Sequence, residues 1–438
     1  MKAASNWNII IFCSNELPLK EDFFSELDKK FGNIQVVALG KDACPAHIPK
    51  IICETKVDKT NALNEAVSRC SSGFVLYTEG NECFDIEELA KFTPENNKVY
   101  PAAIQISNED NPVEHTHFQI RIFPADKNLN FTGSAIPTLA PAVADQDIVV
   151  SPLFFPISKH GLLYKGIDLD AELKKHPNIA EYWLMSGLQL TAKNQYKTAE
   201  KKFKTALQKG KMPLFNTVAS INGMADSLLG QSKWEECISV ANHSIEKEAH
   251  QRMPYLLLFK AYYARNEWEE AYTHLFNYLE NLAGGSLINY DILFPLTQTH
   301  FLLADTAYKQ GWHERAFVHY EQFYELKDGA IDNDILERLV LYSLELDEKE
   351  NSKKYFSTLY ADKIPDKLRE DEKIKVLELL SIFVDKEWFQ TPLEVFEKLF
   401  NYNPKDAEIL RKWVATLIKA KKIEKAQELI NKHKTTFS

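Results

Sequence analysis

The segment Glu79-Gly80-Asn81-Glu82 follows the apolar run Phe74-Val75-Leu76-Tyr77 and carries oxygen-bearing side chains at a spacing that suits a divalent cation. Side chains at i and i+2 share one face of an extended chain, so two acids so placed converge on one ion. Here the first is the carboxylate of Glu79. The second is the amide of Asn81, which offers only a neutral carbonyl oxygen. Glu82 and Asp85 follow closely as further carboxylates. The same residues also fit a polar strand-to-helix turn capping a helix that starts near Asp85, because short acidic side chains accept from the free N–H groups of a first turn.

Other constellations are weaker. His115 and His117 alternate on an expected strand beside Glu114, which suits either a metal or a solvated strand edge. His160 stands before Gly161. Cys13, Cys44, Cys53, Cys70, Cys83 and Cys237 form no C-x-x-C pair and read as reduced thiols in a reducing compartment. The chain has no glycine-rich phosphate loop, no G-x-S-x-G elbow and no local Cys-His signature, which argues against NTPase and hydrolase chemistry.

Elements that position these groups change character near residue 170. Before it, β-rich runs at 8–13, 34–39, 74–78, 104–106 and 118–123 alternate with helical patterns at about 20–31, 59–71 and 85–92. Alternating strands and helices predict a small α/β domain over 1–168 with a parallel sheet, buried on both faces at its first strands. After it, Gly and Pro become sparse and the pattern is helical, predicting an all-α second part over 169–438.

That second part repeats. Trp183, Gly187, Leu190, Ala199, Phe203, Ala206 and Pro213 follow tetratricopeptide spacing, with the proline two residues late. Further units run through Ala225 to Ser244, Phe259 to Tyr278 and Ala304 to Phe323, and degenerate ones lie around Phe356, at Phe396-Leu399-Pro404 and at Val414 to Ile430. Small residues let antiparallel helices cross closely and an aromatic fills the space beside them, so the pattern predicts a superhelix of helical pairs. Ala199, Cys237, Ala271 and Ala316 are spaced by 38, 34 and 45 residues, and the long interval contains Leu282-Ala283-Gly284-Gly285-Ser286, an expected inter-repeat loop that is either a recognition element or a tolerated insertion.

Joined in this order, the halves resemble the bacterial family 2 glycosyltransferases that carry C-terminal tetratricopeptide repeats, including those that glycosylate peptides. Ile9 to Glu16 looks like the family's opening strand followed by Asn-Glu. Lys59-Thr60-Asn61-Ala62-Leu63-Asn64, then Gly73 and Phe74 to Tyr77, looks like the family's Ala-Arg-Asn-like helix start and the strand before its Asp-x-Asp-Glu. Phe118 to Phe123, Phe131-Thr132-Gly133 and Lys159-His160-Gly161 look like its later Arg-x-Phe, Phe-x-Gly and His-x-Gly elements. The resemblance implies a GT-A-like, nucleotide-diphospho-sugar transferase-like α/β domain with Glu79 and Asn81 on Mg²⁺ or Mn²⁺, Asn15, Glu16 and Glu79 near the nucleotide-sugar, and Glu82 or Asp85 as the base.

The sequence departs from the family at three places. Gly40-Lys41-Asp42-Ala43-Cys44-Pro45 replaces an Asp-x-x-Ser/Thr-x-Asp loop, Asn81 replaces an acid, and Ser134-Ala135-Ile136-Pro137 stands where His-Glu is frequent. Two functions follow: transfer of a sugar from a nucleotide-sugar to a peptide or protein held by the repeats, or a catalytically inactive pseudo-glycosyltransferase whose repeats make it a protein-binding adaptor. Tyr255, Tyr262, Tyr263 and Tyr290 are candidate anchors in the groove, with core packing as the alternative. A net charge of −10 argues against nucleic acid, no apolar run approaches the about 20 residues of a membrane span, and cytoplasmic residence is the expectation.

Overall fold

Every residue of Trp7–Cys13 (β1) is buried, as a strand covered on both faces requires. Its odd and even side chains enter different layers: Ile9 and Ile11 pack on one face of the sheet, Ile10 and Phe12 on the other. The computed structural model describes residues 7–14, 18–53, 59–80, 82–108, 111–126, 129–133, 138–140, 147–149, 154–158, 168–209, 212–281, 291–292, 294–327, 331–360 and 363–433.

Ile34–Leu39 (β2), Lys50–Cys53 (β3) and Phe74–Glu79 (β4) run parallel to β1, in the order β3-β2-β1-β4. Tyr100–Asn108 (β5) and Asn111–Pro124 (β6) complete a mixed sheet, ordered β3-β2-β1-β4-β6-β5 and then Phe154–Ser158. The expected all-parallel order is corrected here, since β6 is antiparallel to both β4 and β5. Only two residues separate β5 from β6, and a connection that short joins only antiparallel strands. Asn130–Thr132 (β7) and Thr138–Ala140 (β8) form a separate pair, and Phe154–Ser158 (β9) is parallel to β5.

Helices cover both faces. Glu21–Lys30 (α1) and Ile86–Lys91 (α3) bury Leu27, Ile86 and Leu89 on the layer of Ile9 and Ile11. Lys59–Ser68 (α2) buries Ala62, Leu63, Ala66 and Val67 on the layer of Ile10 and Tyr77.

From Leu169–Lys175 (α4) onward the elements among the described residues are helical apart from one short strand. The pairs are Ala180–Ala192 (α5) with Tyr196–Lys209 (α6), Leu214–Gly230 (α7) with Trp234–Lys247 (α8), and Met253–Ala264 (α9) with Trp268–Glu280 (α10). Then come Leu296–Gln310 (α11) with His313–Leu326 (α12), Asn333–Glu345 (α13) with Lys349–Tyr360 (α14), Glu370–Asp385 (α15) with Gln390–Tyr402 (α16), and Ala407–Lys419 (α17) with Ile423–Lys432 (α18). The chain is thus a small α/β sheet domain followed by tetratricopeptide-type helical repeats.

Each pair turns the same way. One residue takes a left-handed conformation between its helices: Asn194, Ser232, Asn266, Gly311, Asp347, Glu387 and Lys421. The next N–H returns to a carbonyl five residues back, as Gln195 to Leu190 and Lys422 to Leu417, closing a Schellman-type end. Five residues after each left-handed position stands the small residue at the helix crossing, and Ala199, Cys237, Ala271, Ala316, Ser352 and Ala426 are buried there, as is Pro392 in the sixth pair. In the first pair a Cβ on Gly187 would stand 2.6 Å from the Phe203 ring, and one on Gly223 of α7 would stand 2.4 Å from it. Phe203 is fully buried because two glycines leave its ring that space.

The chain forms two compact units, residues 1–294 and 295–438. Within the first, Asp291–Ile292 (β10) pairs antiparallel with β6 at Thr116 and His115, and Phe215 of α7 packs on Ile120 and Ile148. The long inter-repeat interval therefore returns a strand to the sheet, while Leu282 to Ser286 lie outside the described residues. Cys13, Cys44, Cys70, Cys83 and Cys237 are free thiols. No helix among the described residues is long and apolar enough to cross a membrane.

Candidate functional site

The order of the sheet reverses between β1 and β4, and in open α/β sheets the crevice beyond the carboxyl ends of such strands is where ligands bind. The β4 end brings Tyr77 and Glu79 to one face and Thr78 to the other. The backbone closes around it: the Gly80 N–H donates to the Phe12 carbonyl at 2.7 Å, and the Lys20 N–H donates to the Gly80 carbonyl at 3.3 Å. Lys20 Nζ lies 3.2 Å from Cys83 Sγ, joining the approaches to α1 and α3 a second time.

Glu79 already has a cation. Lys59, from the first turn of α2, places Nζ 3.2 Å from Glu79 Oε1 and 3.9 Å from the centroid of the Phe12 ring. The hydroxyl of Tyr77 donates to the same Oε1 at 3.0 Å. Lys59 is 9% exposed at its side chain and Glu79 24%. Burial pushes the Glu79 carboxyl up, but the charges of Lys59 and Arg121 outweigh it and hold it below the usual carboxylate range. Burial, with Glu79 adding to it, pushes the Tyr77 phenol well above its ordinary value.

Glu82 lies on the other side of the same turn. It accepts from Arg121 Nη2 at 2.5 Å, the Thr78 hydroxyl at 3.1 Å and the Glu79 N–H at 2.8 Å. Both members of the Glu82–Arg121 pair are 1% exposed at their side chains, and the guanidinium carbon lies 4.9 Å from the Tyr77 ring centroid. Burial raises the Glu82 carboxyl despite the Arg121 charge. Glu79 and Glu82 therefore have proton affinities pushed apart, an arrangement acid–base enzymes use, but Glu82 is sealed from solvent.

Asp85 is the N-cap of α3, accepting from the N–H groups of Glu87 and Glu88 at 2.8 and 3.0 Å. Asn15, Glu16, Asn81 and His160 lie outside the described residues. The structure thus brings Glu79 and Glu82 to one turn and gives Asp85 a capping role. His115 and His117 fall on β6, where the backbone of both pairs with β5 and that of His115 pairs with β10 as well. No group of three or more His, Cys, Asp or Glu among the described residues is placed to hold a metal ion, and an ion on Glu79 would have to displace Lys59.

Sequence reading missed the partners. Lys59 opens the segment likened to a family helix start, and Arg121 lies in the Arg-x-Phe element, so both were visible as motif members. Their cationic pairing with Glu79 and Glu82 was not. Among the candidate groove tyrosines, Tyr262 stacks on His274 at 5.3 Å and Tyr263 lies edge-on to Trp268 at 5.2 Å, both inside the third repeat. Tyr255 is 6.5 Å from His274, and Tyr290 lies outside the described residues.

No protein-family model and no curated protein matches this chain. Among solved structures it is similar over part of its length to YrrB, a TPR protein with an unusual peptide-binding site, at 13% identity over 54% of this chain and 92% of that one, with a TM-score of 0.27. It is also similar to MamA, residues 41 to the end, from Desulfovibrio magneticus RS-1, at 10% identity over 43% of this chain and 97% of that one, TM-score 0.32. A third structure, a complex bound to HypK-THB, is 14% identical over 61% of this chain, TM-score 0.33, and this chain spans only 38% of its length.

Proposed function

We propose that this protein is a non-catalytic scaffold that holds a protein partner on its helical repeats, and that its α/β domain is a pseudo-glycosyltransferase. The observation that carries this reading is the Lys59–Glu79 contact of 3.2 Å, because an internal ammonium stands where a transferase would need a divalent ion. The base position supports it as well. Glu82 is bound on both oxygens by Arg121, Thr78 and the Glu79 N–H, so it is not free to take a proton from an acceptor. Helical pairs present extended faces suited to a peptide or protein, and the described residues form seven of them.

The runner-up is the transferase itself. Glu79 at the switch point favours it, and in that reading a nucleotide-sugar diphosphate with Mg²⁺ or Mn²⁺ would draw Glu79 away from Lys59.

Cross-linking mass spectrometry on the tagged full chain in its native cell tests the scaffold. The expected result is one partner protein cross-linked to residues between Ala180 and Lys432, with the same cross-links in Glu79→Ala. Absence of any cross-linked protein, or loss of the cross-links in Glu79→Ala, would overturn the reading.

A further inference from the structure

The repeats of residues 1–294 are closed on themselves. In α7 the consecutive residues Val218 to Gly223 are all buried, which a helix achieves only when covered on every side, and Phe215 at its start packs on Ile120 and Ile148 from the sheet domain. In α9, Leu256 to Phe259 are likewise buried in succession. A partner would have to displace part of the chain to reach these faces.

The first helices of the pairs in residues 295–438 differ. Those of α13 and α15 are buried on one side only, and the other side carries large apolar residues in solvent: Leu341 at 38% exposure, Ile374 at 56% and Ile382 at 37%. Helical spacing arranges the two surfaces alike. Glu337, Leu341 and Glu345 follow at i, i+4 and i+8 on α13, and Ile374, Glu378 and Ile382 do so on α15, giving each helix one stripe. A 2.8 Å ion pair between Glu337 and Lys375 holds the helices side by side. One stripe reads acid–apolar–acid and its neighbour apolar–acid–apolar. Glu345 and Glu378 form no ion pair among the described residues, so their charges face solvent beside the exposed leucine and isoleucines.

Building on the scaffold reading, we infer that the α13–α15 face is where the partner docks, and that the partner presents a segment alternating Lys or Arg with large apolar side chains. Apolar side chains would cover Leu341, Ile374 and Ile382, and cations would answer Glu345 and Glu378. Negative charge in the partner would meet repulsion at both acids, so the face discriminates by charge as well as by area.

The test uses the full chain and two labelled amphipathic peptides of about 18 residues, one of leucine and lysine and one of leucine and glutamate, read by fluorescence anisotropy in physiological salt. The leucine–lysine peptide is expected to bind saturably and the other not at all. E345K/E378K should weaken binding by about 10-fold or more, and I374S/I382S by a similar factor, with melting temperatures unchanged because all four side chains are exposed. E269K, an exposed acid on α10, should bind as the wild type. Unchanged affinity in both double variants, or equal binding of both peptides, would overturn the inference. If the native-cell cross-links still form in E345K/E378K, this docking face is wrong and the scaffold stands; if no protein cross-links to the wild type, the scaffold itself fails.

Discussion

Lys59 and Glu79 meet 3.2 Å apart at the end of the two central strands, one from the first turn of a helix and the other from the last residue of β4. Neither group would be stable there alone. Removing one member of a fully buried pair costs several kcal/mol, and the partial exposure of Glu79 reduces that, so Lys59→Met should cost about 1–3 kcal/mol in urea unfolding. Lys59→Met/Glu79→Gln should recover more than half of it. A neutral Lys59→Met would show that the contact contributes nothing.

Packing around Phe203 gives a sharper expectation. A methyl group on Gly223 would stand 2.4 Å from its ring, closer than carbon atoms approach, and the fully buried ring has nowhere to retreat. Gly223→Ala should therefore destabilise the protein by about 1–3 kcal/mol although alanine is the better helix former, and adding Phe203→Leu should return part of the loss. Thermal unfolding followed by circular dichroism measures both. A more stable Gly223→Ala would mean that the two helices stand further apart.

The turns make the opposite prediction. Glu387 is exposed at φ 62°, a conformation strained for any residue with a Cβ. Glu387→Gly should raise stability by about 0.5–1 kcal/mol, and Glu387→Val should lower it. If both substitutions shift the melting temperature the same way, the left-handed turn is wrong.

How far these features were legible depends on their range. Ala199, Cys237, Ala271 and Ala316 showed the helical pairs from sequence because close crossing demands small residues at fixed offsets. Gly311, Asn194, Asn266 and Asp347 are residue types that favour the left-handed turn, whereas Ser232, Glu387 and Lys421 adopt that backbone without being so. Strand β3 is four residues long and β9 holds Pro156, so neither gives a periodic signal, and their places come from pairing with distant strands. At the site, Glu79 and Glu82 were conspicuous as acids. Lys59 and Arg121, twenty and thirty-nine residues away, turned them from free ligands into paired charges.

Acid should loosen residues 295–438 before the carboxylates titrate. His300 and His319 place Nδ1 atoms 3.1 Å apart between α11 and α12, so one ring donates and the other accepts. Burial, then the His300 ring, lowers His319 to about 4, and burial lowers His300. A folded-state value below the unfolded one means that only the unfolded chain takes the proton as pH falls from about 6.5 toward 4, a loss of about 3 kcal/mol for His319. Glu200 is different: burial raises it, but hydrogen bonds from Lys204 and Gln231 bring it to about 2, so its contribution is lost only below its unfolded value near 4.5. His319→Gln should accordingly flatten stability between pH 6.5 and 4.5, apart from smaller losses through His274 and His300. An unchanged slope in urea titrations across that interval would contradict the buried pair.

The most direct test of the account titrates Mn²⁺ into the full-length protein with UDP or GDP present, counting bound metal by electron paramagnetic resonance. With Lys59 holding Glu79, no stoichiometric uptake is expected in the wild type or in Glu79→Ala. One Mn²⁺ per chain that appears only with the nucleotide and disappears in Glu79→Ala would restore the transferase and contradict the scaffold.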